Sequence, residues 1–225
     1  MTESLPEELP VMTLPNVVFF PKTVLPLHIF ESRYRRMLRE VLETHRMFAV
    51  TGLASASPET SGQSEPPQRI ATAGIVGACQ KNEDGTSDLF LVGLARVAIT
   101  RIVREEPYRV IRAEPLPDST GVSVEDLEQL RRTLLRTFEV REKLGLHLPR
   151  ELTQAIRQID DPAALCDLLI FALAADSAFK QSMLETLDPA IRLRRAIAHF
   201  RRGTEALRLQ RRLQGPLSDE DVANN

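Results

Sequence analysis

Tryptophan does not occur in this 225-residue chain, and tyrosine and cysteine occur twice each. With so little flat aromatic surface, a platform for stacking bases is not expected. Charge argues the same way. The formal net charge is −2 and the pI is near 6.1, with 13 basic and 15 acidic residues over 1–121 and 16 of each over 122–225. A nucleic-acid binder usually carries a net basic patch, so that class starts low. Cys79 and Cys166 lack the paired spacing of a zinc site and read as small buried hydrophobes in a reducing cytosol. His28, His45, His147 and His199 sit in four separate elements with no i, i+4 partner and no acid at ligand spacing. Neither a metal site nor a cofactor is expected.

Catalytic patterns are missing too. No G-x-x-x-x-G-K-[ST] phosphate cradle occurs. Lysine is confined to Lys22, Lys81, Lys143 and Lys180. Ser182 follows Lys180 at i+2 on an expected helix, where the two side chains do not face each other, so no nucleophile–base pair forms. His28, between Leu27 and Ile29, reads as a structural histidine satisfied by a backbone carbonyl more readily than as an acid or base. The chain is expected to have no catalytic residues and not to be an enzyme. The longest apolar run, 168–175, falls far short of the ~20 residues of a membrane span, and the first residues are polar and acidic. A soluble, cytoplasmic protein is the expectation.

What the chain does have is concentrated in residues 9–34. Pro10, Pro15, Pro21 and Pro26 interrupt a run of Val, Leu, Ile and Phe. Proline fixes φ and removes a donor, so the segment should form short bent strands at 11–14, 17–20 and 24–30. Many short strands rich in β-branched and aromatic residues indicate a small closed or half-closed barrel. Ser32 is expected to cap a helix over 33–44, followed by a strand at 46–54, a polar loop at 55–69 and a strand at 70–80. Gly74 and Gly77 mark bends or bulges, and Asp84-Gly85 a hairpin turn. A long strand at 88–103 should break at Gly93 before a last strand at 108–113.

After a linker at 115–121 the apolar period changes from two to 3.6. Ser123 with Asp126 opens a helix to about 144, and a short helix follows from Pro149. Asp161-Pro162 and Asp188-Pro189 each pair an N-cap with a first-turn proline. The expected organisation is a disordered tail at 1–8, a barrel subdomain at 9–117, a helical subdomain at 122–213 and a disordered acidic tail at 214–225. Arg201-Arg202 through Arg211-Arg212 read as a solvated helical face more readily than as a site for RNA or acidic partners.

Several stretches resemble a known family. Pro15-Asn16-Val17-Val18-Phe19-Phe20-Pro21, Leu25-Pro26-Leu27-His28-Ile29-Phe30-Glu31 and Arg33-Tyr34 are similar to the opening of the Lon protease N-terminal substrate-binding domain. Lys22 and Ser32 stand where that family has a glycine and a proline. Gly93-Leu94-Ala95-Arg96-Val97 with Pro107-Tyr108, and Leu184-Glu185-Thr186-Leu187-Asp188-Pro189 with Arg192-Leu193, extend the resemblance over about 9–205. It implies an α+β fold: an N-terminal PUA-like β pseudo-barrel with one helix, then a C-terminal α-helical bundle.

In function the resemblance implies a stand-alone, ATP-independent and non-catalytic protein- or peptide-binding module, an adaptor or regulator of ATP-dependent proteolysis. Its partners would be unfolded or degron-bearing polypeptides, held in a groove between barrel and bundle, and a Lon-type protease or chaperone. RNA or small-ligand binding is the alternative that PUA-like barrels allow, and peptidase-associated activity rests on the family name alone. Phe19, Phe20, Leu25, Leu27 and Phe30 are the candidate peptide-binding residues. Alternation sends some of them away from the barrel interior, while burial under the 33–44 helix is the competing outcome.

Overall fold

The computed structural model describes residues 5–54 and 66–214, without the side chains of 206, 207 and 210–214. Both expected tails, apart from residues 5–8 and Gln214, and most of the 55–69 loop therefore lie outside the described residues. Two compact units emerge: Met1–Ser119 with Asp167–Leu187, and Thr120–Cys166 with Asp188–Asn225. The helical segment 167–187 thus groups with the sheet.

In the first unit, strands β1 (Glu8–Thr13), β2 (Val24–Ile29), β3 (Met47–Thr51), β4 (Ile70–Lys81), β5 (Ser87–Arg104) and β6 (Val110–Pro115) form one sheet. The order is β2-β5-β4-β3-β1-β6, and β6 also pairs with β5. That second pairing closes β5, β4, β3, β1 and β6 into a ring. β2 hangs outside it as an edge strand, which is where Pro26 is tolerated. Closure requires bends. One residue of β5, Leu94, is extra between the pairs Gly74↔Gly93 and Ala73↔Ala95, and Gly77 is extra on β4 between Val76↔Leu91 and Ala78↔Phe90. The expected break at Gly93 is therefore a bulge in a continuous strand.

Residues 17–20, expected as a strand, form none. The chain turns before and after them. Asn16 and Lys22 both have positive φ, each following a proline, and the Thr23 N–H closes the second turn onto the Phe20 carbonyl. Proline at the second position with positive φ at the third is the type II pattern, which prefers glycine where Lys22 stands. Instead of pairing in a ladder, the Phe19 and Phe20 carbonyls accept from the hydroxyls of Thr72 at 2.6 Å and Thr23 at 2.7 Å. Gly93 lies against this segment so closely that a Cβ there would come within 2.2 Å of the Phe20 oxygen.

Helix α1 (Ser32–Leu42) buries Tyr34, Met37, Leu38 and Val41. Ser32 is its first residue rather than its cap. Glu31 occupies the cap position without a side-chain bond, and it pairs instead with Arg33 at 2.8 Å. Met12, Phe19, Leu25, Ile29, Phe48 and Leu91 join the α1 stripe in the main core.

Helix α4 (Pro162–Leu173) supplies Asp167 to this unit, and α5 (Ser177–Leu184) lies wholly within it. Arg96 points from β5 into buried space. Its Nη2 donates to both Asp167 carboxylate oxygens at 2.8 Å, and its Nε donates to the Leu184 carbonyl at 3.0 Å. Both side chains are only 4% exposed.

The second unit holds α2 (Val124–Lys143), α3 (Arg150–Gln158), the start of α4 and α6 (Pro189–Gln214). The Ser123 hydroxyl caps α2 by accepting from the Asp126 N–H. Asp161 and Asp188 accept from the Ala163 and Ala190 N–H groups, as their proline-linked start signals predict. Leu134, Phe138, Ile156, Leu165, Leu193 and Phe200 are buried.

Two stability measurements follow. Arg96→Met removes the guanidinium that neutralises buried Asp167 and is expected to cost about 3–5 kcal/mol in urea unfolding, with Asp167→Leu added to it recovering part of the loss. Lys22→Gly removes a left-handed lysine and is expected to raise stability by about 0.5–1 kcal/mol, since glycine tolerates that φ at some unfolded-state entropy cost.

Candidate functional site

Alternation along β2 is clean. Leu25 and Ile29 are buried and Leu27 is partly buried, whereas Val24, Pro26 and His28 face out. Opposite them on β5 stand Val92, Phe90 and Asp88, and β4 adds Ala78 opposite Phe90 and Gln80 opposite Asp88. Phe90 is 53% exposed, Val24 48% and Phe30, just past β2, 63%. These are large apolar side chains left in water on one face. They accompany an open cleft of about 590 Å³ whose lining includes Pro26, Ala78, Cys79 and Phe90.

One end of that face is polar and tied down. The Asp88 carboxylate lies 2.7 Å from His28 Nδ1, and an ionised carboxylate only accepts, so Nδ1 carries the proton. The Asn82 amide donates to the other Asp88 oxygen at 2.8 Å and to the Thr86 hydroxyl at 3.0 Å. Asp84 closes the hairpin by accepting from the N–H and hydroxyl of Thr86. His28 thus takes a carboxylate partner rather than the backbone carbonyl its sequence context suggests. Its ring also stacks on Phe30, centroids 6.1 Å apart.

The five residues singled out in the sequence separate. Phe19, Phe20 and Leu25 are buried, Phe19 and Leu25 in the main core, with the Phe19 ring packed near Gly74. Leu27 packs against the same core from its edge, and Phe30 alone is exposed. Phe90, Val24 and Pro26 complete the outward face and were not singled out. The signal for Phe90 was its parity: it shares a strand face with Asp88, and Leu89 and Leu91 share the other.

On this face the His28–Asp88 pair is open to water, its side chains 53% and 59% exposed. Elsewhere, Lys180 Nζ donates to the Phe171 carbonyl at 2.8 Å and the Ser182 hydroxyl to the Phe179 carbonyl at 2.8 Å, so the two are occupied separately. Burial pushes the Lys180 ammonium and the Cys79 thiol toward their neutral forms. Among the described residues no group of His, Cys, Asp and Glu is arranged to hold a metal ion, and no helix is long and apolar enough to cross a membrane.

Residues 8–202 match the family model described as the ATP-dependent protease La (LON) substrate-binding domain. Among curated relatives, the Lon proteases of Dictyoglomus thermophilum and Syntrophus aciditrophicus are 26% and 29% identical over 219 residues, spanning 97% and 96% of this chain. This chain spans just over a quarter of those relatives, 27% and 28% of their lengths. Two solved structures share the fold. The Lon N-terminal domain protein of Xanthomonas campestris superposes with a TM-score of 0.59 at 22% identity, covering 85% of this chain and 97% of that one. The N-terminal domain of Mycobacterium avium complex Lon protease gives 0.64 at 18% identity, covering 86% and 97%.

Asp88 is held below the usual carboxylate range, first by the Asn82 amide and then by His28. With its folded value depressed, its contribution is present above the ordinary carboxylate value and lost as pH falls through the depressed one. Asn82→Ala is expected to move the Asp88 midpoint upward in a carboxyl-carbon NMR titration. An unmoved midpoint would remove the amide as the cause.

Proposed function

Because the chain belongs to the family of Lon protease substrate-binding domains, we propose that it is a non-catalytic module that holds unfolded or degron-bearing polypeptide segments. The holding surface in this reading is the outer face of β2, β5 and β4. Phe90 carries the argument, half exposed on β5 opposite Pro26 beside the cleft. Val24 lies one outward position along β2 from Pro26, and Phe30 lies beyond the end of β2 beside His28. Exposed apolar side chains grouped beside a cleft are what a surface for extended apolar segments requires.

Two modes of capture are open to such a face, and Pro26 separates them. Strand addition to the free side of β2 would need an unbroken row of backbone donors and acceptors, and a proline in the middle of an edge strand blunts that row. Apolar contact with the face has no such requirement. The segment therefore lies across Phe90 and Pro26, with specificity for apolar content rather than for sequence. No bond is broken in this reading, and handing the segment to a Lon-type protease or chaperone makes the chain an adaptor or regulator of proteolysis.

Phe30→Ala with Phe90→Ala is expected to weaken binding of a fluorescent, reduced and carboxymethylated casein by at least about tenfold, read by anisotropy, as loss of exposed aromatic anchors does elsewhere. Both residues are exposed, so the variant should keep its circular dichroism and melting temperature. Unchanged affinity in that folded variant, or no saturable binding by the parent chain, would sink the proposal. Phe19→Ala serves as the contrast: it removes a core ring and should unfold the unit at lower urea.

A further inference from the structure

A second cavity, of about 420 Å³, is lined by Arg35, Arg39, Arg46 and Lys81, with Leu38 and Leu42 among its apolar residues. Arg35 and Arg39 are i, i+4 on α1 and share a face. Arg46 follows the end of that helix, and Lys81 ends β4. Gly85 in the β4–β5 turn lets the Arg35 guanidinium approach, since a Cβ at 85 would lie 2.2 Å from its Nη2.

Two features set this cavity apart from an ordinary solvated face. Its lining contains four cations and no carboxylate, and none of the four is in an ion pair among the described residues. Asp84 accepts from Thr86 and keeps its charge, so it offsets part of the field at Arg35 alone, outside the cavity lining. A concave wall of one sign focuses field and raises the local concentration of the opposite charge. Independently, Arg46 has a φ of +59°. Its backbone carbonyl accepts from the Val76 N–H at 2.8 Å, while its Nε and Nη2 donate to the Val76 carbonyl at 3.3 and 3.1 Å. Glycine or asparagine would hold that φ with less strain, so what arginine adds at 46 is a guanidinium fixed on one edge, with Nη1 still available.

We propose that this cavity is a binding site for a polyphosphorylated small molecule, its phosphates held by Arg35, Arg39, Arg46 and Lys81 and its apolar part laid against Leu42. Planar guanidinium donors match phosphate oxygens in pairs, and a lysine adds a point charge. The cavity's limited volume and its lack of any aromatic residue for base stacking argue for a compact ligand over RNA.

The test is calorimetric titration of the full chain with inorganic triphosphate, with citrate as a carboxylate anion of similar charge. Saturable triphosphate binding that weakens as salt rises is expected. Arg46→Gly should weaken it at least about tenfold through loss of the Nη1 donor and of the guanidinium charge, while keeping the fold, because glycine accepts the positive φ. Arg39→Gln, an exposed change on α1, should do the same. Phe30→Ala with Phe90→Ala should leave it unchanged, which separates this site from the polypeptide face. Absence of binding at millimolar triphosphate, equal binding by both arginine variants and the parent, or equal binding of citrate would overturn the assignment. So would single-stranded RNA that binds without being displaced by triphosphate.

Discussion

Everything in the sheet unit depends on one strand being able to serve three neighbours. β5 pairs with β2 over its first half, with β4 over most of its length and with β6 over its second half. It carries β4 on one edge and β2 and then β6 on the other, and closing the ring through β6 requires the strand to bend near its middle. The bend is set where Gly93 meets the Phe20 carbonyl. Gly93 N–H donates to the Thr23 carbonyl at 2.9 Å, and the Gly93 carbonyl accepts from the Lys22 N–H at 2.9 Å. A side chain at 93 would collide with backbone, which cannot swing aside as a flexible side chain would. The proline-rich segment and the bulge in β5 are thus two halves of one contact. Closure of the ring and the outward hang of β2 both follow from it.

That dependence explains which parts of the fold could be read from the residues. Elements announced by local chemistry are where the chemistry places them. The Ser123, Asp161 and Asp188 start signals, the Asp84-Gly85 turn and the small-residue bends of β4 all act within a few positions of themselves. Residues 17–20 have the composition of a strand and are not one. Their carbonyls are taken by threonine hydroxyls, one of them 53 residues away, and no local pattern announces a bond of that span. Arg96 has the same character. Its charge in a strand looks like broken alternation until Asp167, 71 residues later, arrives to neutralise it.

The candidate face could be read from the residues only in part. Proline and phenylalanine are crowded near β2, which stands at the edge of the sheet, and Phe30 lies exposed there. The parity of residues 17–20 could not be read as strand parity because they are not a strand, so Phe19 and Phe20 went inward together. Phe90 was marked only by its alternation with Leu89 and Leu91. That signal becomes decisive once β5 is known to lie beside an edge strand. Lys22 shows the other side of the matter: a lysine stands at a φ of 59° in a turn whose geometry favours glycine.

The apolar face and the cationic cavity lie along the same β4–β5 hairpin, and Cys79 contributes to the lining of both. A wall shared by the two proposed binding surfaces has to be rigid, because ordering it at each binding event would consume part of the affinity of each. The hairpin has the means. Asn82, Asp84, Thr86, Asp88 and His28 form a continuous hydrogen-bonded set around the turn, and Arg46 clamps Val76 through both its backbone and its side chain. Desolvation raises the pKa of the shared thiol above the ordinary value. An ordered wall with an apolar face and a cationic cavity beside it suits the two recognition roles proposed for it. The His28–Asp88 pair on that wall is open to water, its two members engaged with each other.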